Sequence, residues 1–397
     1  MSAYDYDLAI VGGGLGGSAL AKAMAENGRR VLVLEKERIF QDRVRGENLI
    51  PWGGAEAERL GCFNLLRDTC AFEKRRLLAG GSDRDLIATT PQRLPSLIFY
   101  HPAMQERMLE AAAIAGAEVQ RGCHVSSVAG GSTVSVQFEC GSNTLKATAR
   151  LVVGADGRSS TMRSWGNFEV QRDRERLMLA GVLLEDVGQV PDDAFYFVIN
   201  SDIAECAVIA GQGSGRARGY VGYRADSGLR LQGRDSLRRF FEESVKCGIP
   251  ADFYANAKIA GPLASFSGAD HWVEHPYANG MVLIGDAAAA SDPNWGQGLA
   301  LTLRDARFLR DALLADDDWD RAAHAYADQH DLYYKKIHDY EDLLTEFFYG
   351  TSAEARAHRA KAMPLINEDP TRVPDHVFSG PELPLDERVK ARFFGEA

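Results

Sequence analysis

The chain has 397 residues, 45% hydrophobic and 25% charged, and its 45 Lys+Arg against 56 Asp+Glu leave a net charge of −11. This composition is globular and long enough for two or three domains around a sizeable core; it excludes a disordered, collagenous or disulfide-scaffold chain. No run approaches the roughly 18 apolar residues of a membrane span, and an acidic chain without a Lys/Arg block argues against nucleic acid as a partner.

The start, with Asp5 and Asp7 and no basic stretch, does not read as a signal peptide. Residues 6–11 read as a short buried strand and 12–17 as a glycine turn. Residues 18–26 follow as an Ala-rich helix stopped by Asn27-Gly28, and 30–34 as a second, fully apolar strand. Together they form a β-α-β unit. Between residues 35 and 99 no clean period holds, and only a helix at 55–60 is expected. A helix is predicted at 103–115, a strand at 118–119, hairpin strands at 125–128, 133–138 and 145–149, and a short strand at 151–153. Segments 177–184, 194–199, 204–210 and 219–224, separated by turn residues, predict an antiparallel sheet. A helix at 235–247, a buried strand at 281–284 and helices at 296–314 and 319–349 follow, and the Pro-rich stretch 364–384 reads as irregular. Six cysteines (62, 70, 123, 140, 206 and 247) form no C-x-x-C pair, which predicts reduced thiols in a cytoplasmic protein. The expected architecture is α/β with an α+β insertion. A discontinuous Rossmann-like nucleotide-binding domain occupies 1–174 and 266–315, an inserted antiparallel sheet 175–265, and C-terminal helices with an irregular tail 316–397.

The chemistry begins at Gly12-x-Gly14-x-x-Gly17, which follows a strand and opens a helix. Gly12 permits a tight turn, Gly14 lets a pyrophosphate reach the backbone, and Gly17 lets helix and strand pack closely, while the helix N-terminus favours negative charge. Glu35 ends the second strand, where a carboxylate can accept both hydroxyls of an adenosine ribose and repels a 2′-phosphate. FAD or NAD is thus favoured over NADP here, with Gly12, Gly14, Leu15, Gly16, Gly17, Glu35 and Lys36 as candidate contacts. His271-x-x-x-His275 has the spacing of a helical zinc pair, but Pro276 follows at once and no acidic third ligand is evident; no metal is expected.

Two later segments are Gly154-Ala155-Asp156-Gly157-Arg158, continuing to Arg163, and Gly285-Asp286-Ala287-Ala288, with Pro293, Gly296, Gln297 and Gly298 downstream. With the N-terminal fingerprint they resemble the class A flavoprotein aromatic hydroxylases, which have the para-hydroxybenzoate hydroxylase fold. The resemblance implies FAD, with Asp286 on the ribityl hydroxyls. It implies that 293–299 passes the pyrimidine edge of the flavin, so that Gly296, Gly298, Leu299 and the start of a helix face N1 and O2. Asp156 and Arg163 match the motif that serves the pyrophosphate region and NAD(P)H use, and Gln105 a ribityl or pyrophosphate contact. Arg45, with Arg43 as a competing choice, matches an arginine that touches the flavin and gates its movement. His101 and Ala289 depart from the family's Arg and His.

The implied reaction is hydroxylation of an aromatic or other electron-rich small molecule by NAD(P)H and O₂ through a flavin C4a-hydroperoxide, with NAD(P)H bound transiently. Arg45 and Pro293 are the catalytic candidates. Trp52, Tyr196, Tyr220, Tyr223, Asn294 and Trp295 are the substrate candidates, with the substrate between flavin and inserted sheet. A flavin-dependent halogenase, an isoprenoid reductase of the same superfamily and a non-catalytic flavin-binding protein are the alternatives; the Trp-x-Trp-x-Ile-Pro segment of the halogenases is absent. A monomer or homodimer without nucleic-acid or membrane partners is expected.

Overall fold

A computed structural model describes residues 4–44, 46–79, 81–131, 133–188 and 190–396. Its centre is a sheet in which Met281–Leu283, Asn143–Gly154, Tyr6–Val11, Val31–Glu35 and Glu118–Arg121 lie side by side and parallel. The inner strands are apolar over 8–11, 31–34 and Met281–Leu283, where both faces are covered. Leu15–Glu26 begins three residues earlier than predicted and packs against the helices His101–Ile114 and Gly298–Ala315. Residues 143–154 form one strand rather than two. Its first half pairs antiparallel with Val134–Cys140, and its second half enters the parallel sheet without breaking its alternation.

The second sheet runs Lys258–Ile259, Leu177–Glu185, Ala217–Arg224, Glu205–Gly211, Ala194–Asn200, Arg76–Ala79 and Ser82–Asp85, with Ala264–Ser267 also on Leu177–Glu185. The four long strands match the predicted ones within three residues. The sheet is not wholly antiparallel: Arg76–Ala79 joins Ala194–Asn200 in parallel. That strand (Arg-Leu-Leu-Ala) is too short to show a period, and its hairpin partner (Ser-Asp-Arg-Asp) carries no apolar residue. A small sheet of Asn48–Leu49, Ser96–Phe99 and Ala71–Lys74 was likewise hidden.

Trp319–Tyr349 is a single helix of 31 residues with the predicted bounds. The C-terminal stretch is more regular than its prolines suggested: Ala353–Glu368 stays helical through Pro364, and His376–Ser379 adds a short turn. It is pinned by a bidentate Arg84–Asp375 pair at 2.7 Å and by Tyr340, whose hydroxyl donates to the Pro374 carbonyl at 2.5 Å. No helix among the described residues is long and apolar enough to cross a membrane.

The expectation of six thiols fails at one place. Antiparallel register sets Cys140 opposite Cys123, 17 residues away in sequence, and the two sulfurs are bonded. Sequence spacing alone could not reveal a pair made by strand register. Cys62, Cys70, Cys206 and Cys247 are free. Alkylation of the denatured protein without reductant should label these four and spare Cys123 and Cys140, as read by peptide mass; labelling of all six would show a reduced pair.

Candidate flavin site

Register aligns the strand ends of the parallel sheet. Val11 lies level with Gly154 and Leu34, and Gly154 with Leu283. The turns at Gly12, Glu35, Ala155 and Gly285 therefore leave the sheet together at its carboxyl edge, where open α/β sheets bind ligands. Gly12 has φ +106°, and a Cβ there would stand 2.3 Å from the Ala155 carbonyl oxygen; one on Gly17 would stand 2.0 Å from the Gly12 carbonyl oxygen. Neither position admits a side chain.

A line of partly exposed residues, here called the trough, runs away from this contact. Gly12, Gly14, Gln105, Asp286, Pro293, Gly296, Gly298 and Leu299 are half-buried, while Leu15, Gly16, Gly17 and Gln297 between them are buried. A Cβ on Gly14 would be 3.7 Å from Gln105 Nε2, and one on Gly298 3.8 Å from Asp286 Oδ1. Gly46 borders Leu299 in the same way, at 3.8 Å. Two helices open onto the trough, Leu15–Glu26 and Gly298–Ala315. Neither has a side-chain cap, so the N–H groups of their first turns are left for an anion or a ring edge. Glu35 lies at one end. Its Oε2 accepts the Gly13 N–H and its Oε1 the Glu37 N–H, both at 2.7 Å, which fixes the carboxylate and leaves further lone pairs open.

Comparison with known proteins agrees with this geometry. The family described as FAD binding domain matches residues 5–316. The chain belongs to that family. It is 24% identical over 314 residues to digeranylgeranylglycerophospholipid reductase 2 of Methanococcoides burtonii, covering 74% of this chain and 71% of the relative. It is 27% identical over 324 residues to 6-methylpretetramide 4-monooxygenase of Streptomyces rimosus, covering 76% and 73%. The fold is that of a p-nitrophenol 4-monooxygenase from Pseudomonas putida, with TM-score 0.75, 19% identity and coverage of 91% and 96%. A flavin-dependent brominase shares it, with TM-score 0.72, 16% identity and coverage of 95% and 96%.

The trough fits FAD: glycine backbone lines the narrow parts, and donors and carboxylates alternate along it. Several predicted residues are spent within the protein. Asp156 Oδ2 accepts the Thr161 N–H at 2.7 Å and its hydroxyl at 3.2 Å. Arg163 is a brace between two motifs, donating to the carbonyls of Asp286 and Ala287 and, at 3.1 Å, to that of Arg158. Lys36 is exposed. Arg45 lies outside the described residues; its competitor Arg43 pairs with Glu37 at 2.5 Å. His101 Nδ1 bonds the Gly46 carbonyl at 2.8 Å and so holds the loop beside Arg45.

Strand alternation corrects the substrate candidates. Tyr196 stacks edge-on against Phe253 at 5.4 Å, and Tyr223 packs with Phe240; both lie on the outer face of the second sheet, under the Leu237–Cys247 helix. Tyr220 lies on the inner face, with Val44, Leu179, Val208, Ala264 and Phe266. Asn294 also reaches this sheet, its Oδ1 lying 2.0 Å from where a Gly222 Cβ would be. Trp52 is 2% exposed and donates its indole N–H to the Val377 carbonyl at 3.1 Å, against the C-terminal stretch. Trp295, also 2% exposed, donates to Thr345 Oγ1 at 3.0 Å and packs on Tyr349. Their indoles anchor helices instead of facing a cavity.

Two buried groups were missed. Asp305, on an otherwise apolar helix face, accepts the Gly285 N–H at 2.7 Å and the Tyr333 hydroxyl, and so holds the Gly285-Asp286 turn. A lone acid among Leu301, Leu303 and Leu309 was the available signal. Arg218, fully buried on the inner sheet face, is gripped by Glu47 at 2.8 Å and by both Asp42 oxygens at 2.9 Å.

Glu35→Ala should weaken FAD binding about 10- to 150-fold, from loss of charge-assisted bonds of about 1.5–3 kcal/mol. Titration of apoprotein followed by flavin fluorescence reads this, and unchanged affinity would reassign Glu35 to turn structure alone. Asp305→Ala should lower FAD affinity by about tenfold through the freed Gly285 turn, although Asp305 does not border the trough; a retained affinity would show that the turn holds itself.

Proposed function

We propose that this FAD-dependent monooxygenase draws electrons from NAD(P)H and hydroxylates an aromatic or otherwise planar, electron-rich small molecule. In this reading Glu35 takes the adenosine ribose hydroxyls. The first N–H groups of the Leu15–Glu26 helix take the pyrophosphate, with Gly12 and Gly14 giving close approach. Gln105 and Asp286 hold the ribityl chain. Gly296, Gly298 and Leu299 border the ring, and the uncapped Gly298 helix start favours negative charge on it. Bound FAD supplies hydride acceptance and oxygen activation. Pro293 borders the reacting face, Arg45 is retained only as the arginine expected from the sequence, and Asp156 with Arg163 keeps the Asp-Gly turn in place for transient NAD(P)H use.

The observation that carries the reading is the contact of Asn294 with Gly222, which sets the segment 292–298 against the inner face of the second sheet. On that face Val44, Leu179, Val208, Tyr220, Ala264 and Phe266 form an apolar wall. Such a wall binds a planar apolar molecule by burial and keeps water from the reacting atoms. Burial drives the Tyr220 phenol well above its ordinary pKa, so it stays neutral, a hydrogen-bonding wall rather than a base.

The test is NAD(P)H oxidation by the purified protein against a panel of phenols, indoles and polyketides, with ¹⁸O₂ and mass analysis of product. One ¹⁸O atom per product and faster flavin reduction with substrate are expected. Substrate reduction without O₂ would place the chain functionally with the isoprenoid reductases, and turnover only with a separate reductase and halide with the halogenases. Val208 lies opposite Tyr220 across the inner face. Val208→Trp should leave FAD content unchanged while raising KM about tenfold or diverting reducing equivalents to hydrogen peroxide. Unchanged KM and unchanged coupling would remove this wall from the substrate site.

A further inference from the structure

At the start of the segment 292–298 and behind it lie three carboxyls that neither the FAD trough nor the apolar wall uses. Asp270, Asp292 and Glu341 are 5%, 6% and 2% exposed. They come from the turn before His271–Val273, the loop after Ala289–Ala290 and the Trp319–Tyr349 helix. Asp292 Oδ1 accepts the backbone N–H and the side-chain amide of Asn294 at 2.9 and 2.6 Å. Glu341 accepts the Gln297 amide at 2.7 Å and the Asp292 N–H at 3.3 Å. Asp270 accepts the Tyr334 hydroxyl at 3.1 Å.

The basic groups facing them are engaged elsewhere. Arg158 donates to the carbonyls of Ser267 and Ala269, Arg176 pairs with Asp342, and His338 bonds Asp173 at 2.8 Å. Cys206 and Tyr349 face Asp292, and Tyr340 faces Glu341; burial keeps all three neutral. Among the described residues no ion pair reaches the three carboxyls. Arg158, Arg176 and His338 offset the charge only from a distance, and three neighbouring buried carboxyls are costly to ionise together, so protons reside among them. Burial first, then mutual repulsion, raises Asp270 to about 7 and Glu341 well above the carboxylate range. Burial raises Asp292 to about 6, against the opposing bonds from Asn294.

Gln297 ties the segment to Glu341. It is 0% exposed, and while its Nε2 donates to Glu341, its Oε1 has no partner. Gln297 precedes the Gly298 helix, and Asn294 abuts the second sheet. The ring end of the trough therefore hangs on this group at two points.

We propose that Asp270, Asp292 and Glu341 form a proton-holding trio that positions the flavin-facing segment 292–298 through Asn294 and Gln297, and that the segment loosens when the trio loses its protons. All three are positioning residues. The sign follows from linkage: the folded chain holds protons that the unfolded chain has released above its ordinary carboxylate range. Stability therefore falls as pH rises from that range through the raised values near 6 and 7.

Hydrogen–deuterium exchange of the full chain, apo and FAD-loaded, corrected for the intrinsic pH dependence of exchange, tests this. Peptides spanning 292–298 should exchange about tenfold faster near pH 8 than near pH 5.5 in both forms. Glu341→Gln, which retains an amide partner for Gln297 without a titrating proton, should flatten that dependence and the matching fall in melting temperature. Asp270→Asn serves as the second variant where Glu341→Gln does not fold. Equal corrected exchange at the two pH values, or a variant with the wild-type dependence, overturns the proposal. The apo measurement separates it from the function proposed above, since no turnover is involved.

Discussion

Backbone touches backbone where the Tyr6–Val11 and Asn143–Gly154 strands end: a Cβ on Gly12 would stand 2.3 Å from the Ala155 carbonyl oxygen. That distance is set by parallel register, Val11 beside Gly154, and it tolerates no side chain. From it follow the direction of the Leu15–Glu26 helix and the position of Glu35 one strand over. Gly285 reaches the same edge because Leu283 is level with Gly154. The flavin trough is thus the shape left where strand ends are brought together without side chains between them.

Polar groups inside the protein then hold the turns that the glycines allow. Asp305 grips the Gly285 N–H, Arg163 braces the carbonyls of Asp286 and Ala287, and Glu341 holds Gln297. Each is buried, and an unmet partner would cost about 1–3 kcal/mol, so these bonds define the turns more sharply than apolar packing could. The long Trp319–Tyr349 helix is the common support: it supplies Tyr333 to Asp305, Tyr334 to Asp270, Glu341 to Gln297 and Thr345 to Trp295.

The second sheet shows how far a pattern reading reaches. Its four long strands are apolar enough to be found from the sequence, but which face meets the trough is a matter of register. Tyr220 and Tyr223 are three residues apart on one strand and so fall on opposite faces; one joins the apolar wall and the other packs beneath a helix. The edge strand Ser82–Asp85 carried no hydrophobic signal, because edge positions admit charge, and its neighbour Arg76–Ala79 is too short to show a period.

By itself the sequence determined the β-α-β unit, the glycine fingerprint with Glu35, the Gly-Asp turn at Asp286 and the bounds of the 319–349 helix. Those features depend on local rules: period, turn chemistry and the need for glycine at close approach. Only the tertiary structure decided which buried polar groups meet, that Trp52 and Trp295 anchor helices, that Cys123 faces Cys140, and that Asp270, Asp292 and Glu341 share one interior space. The physical reason is the same in each case. Such contacts join residues far apart in the chain, and strand register and helix packing, not composition or spacing, bring them within bonding distance.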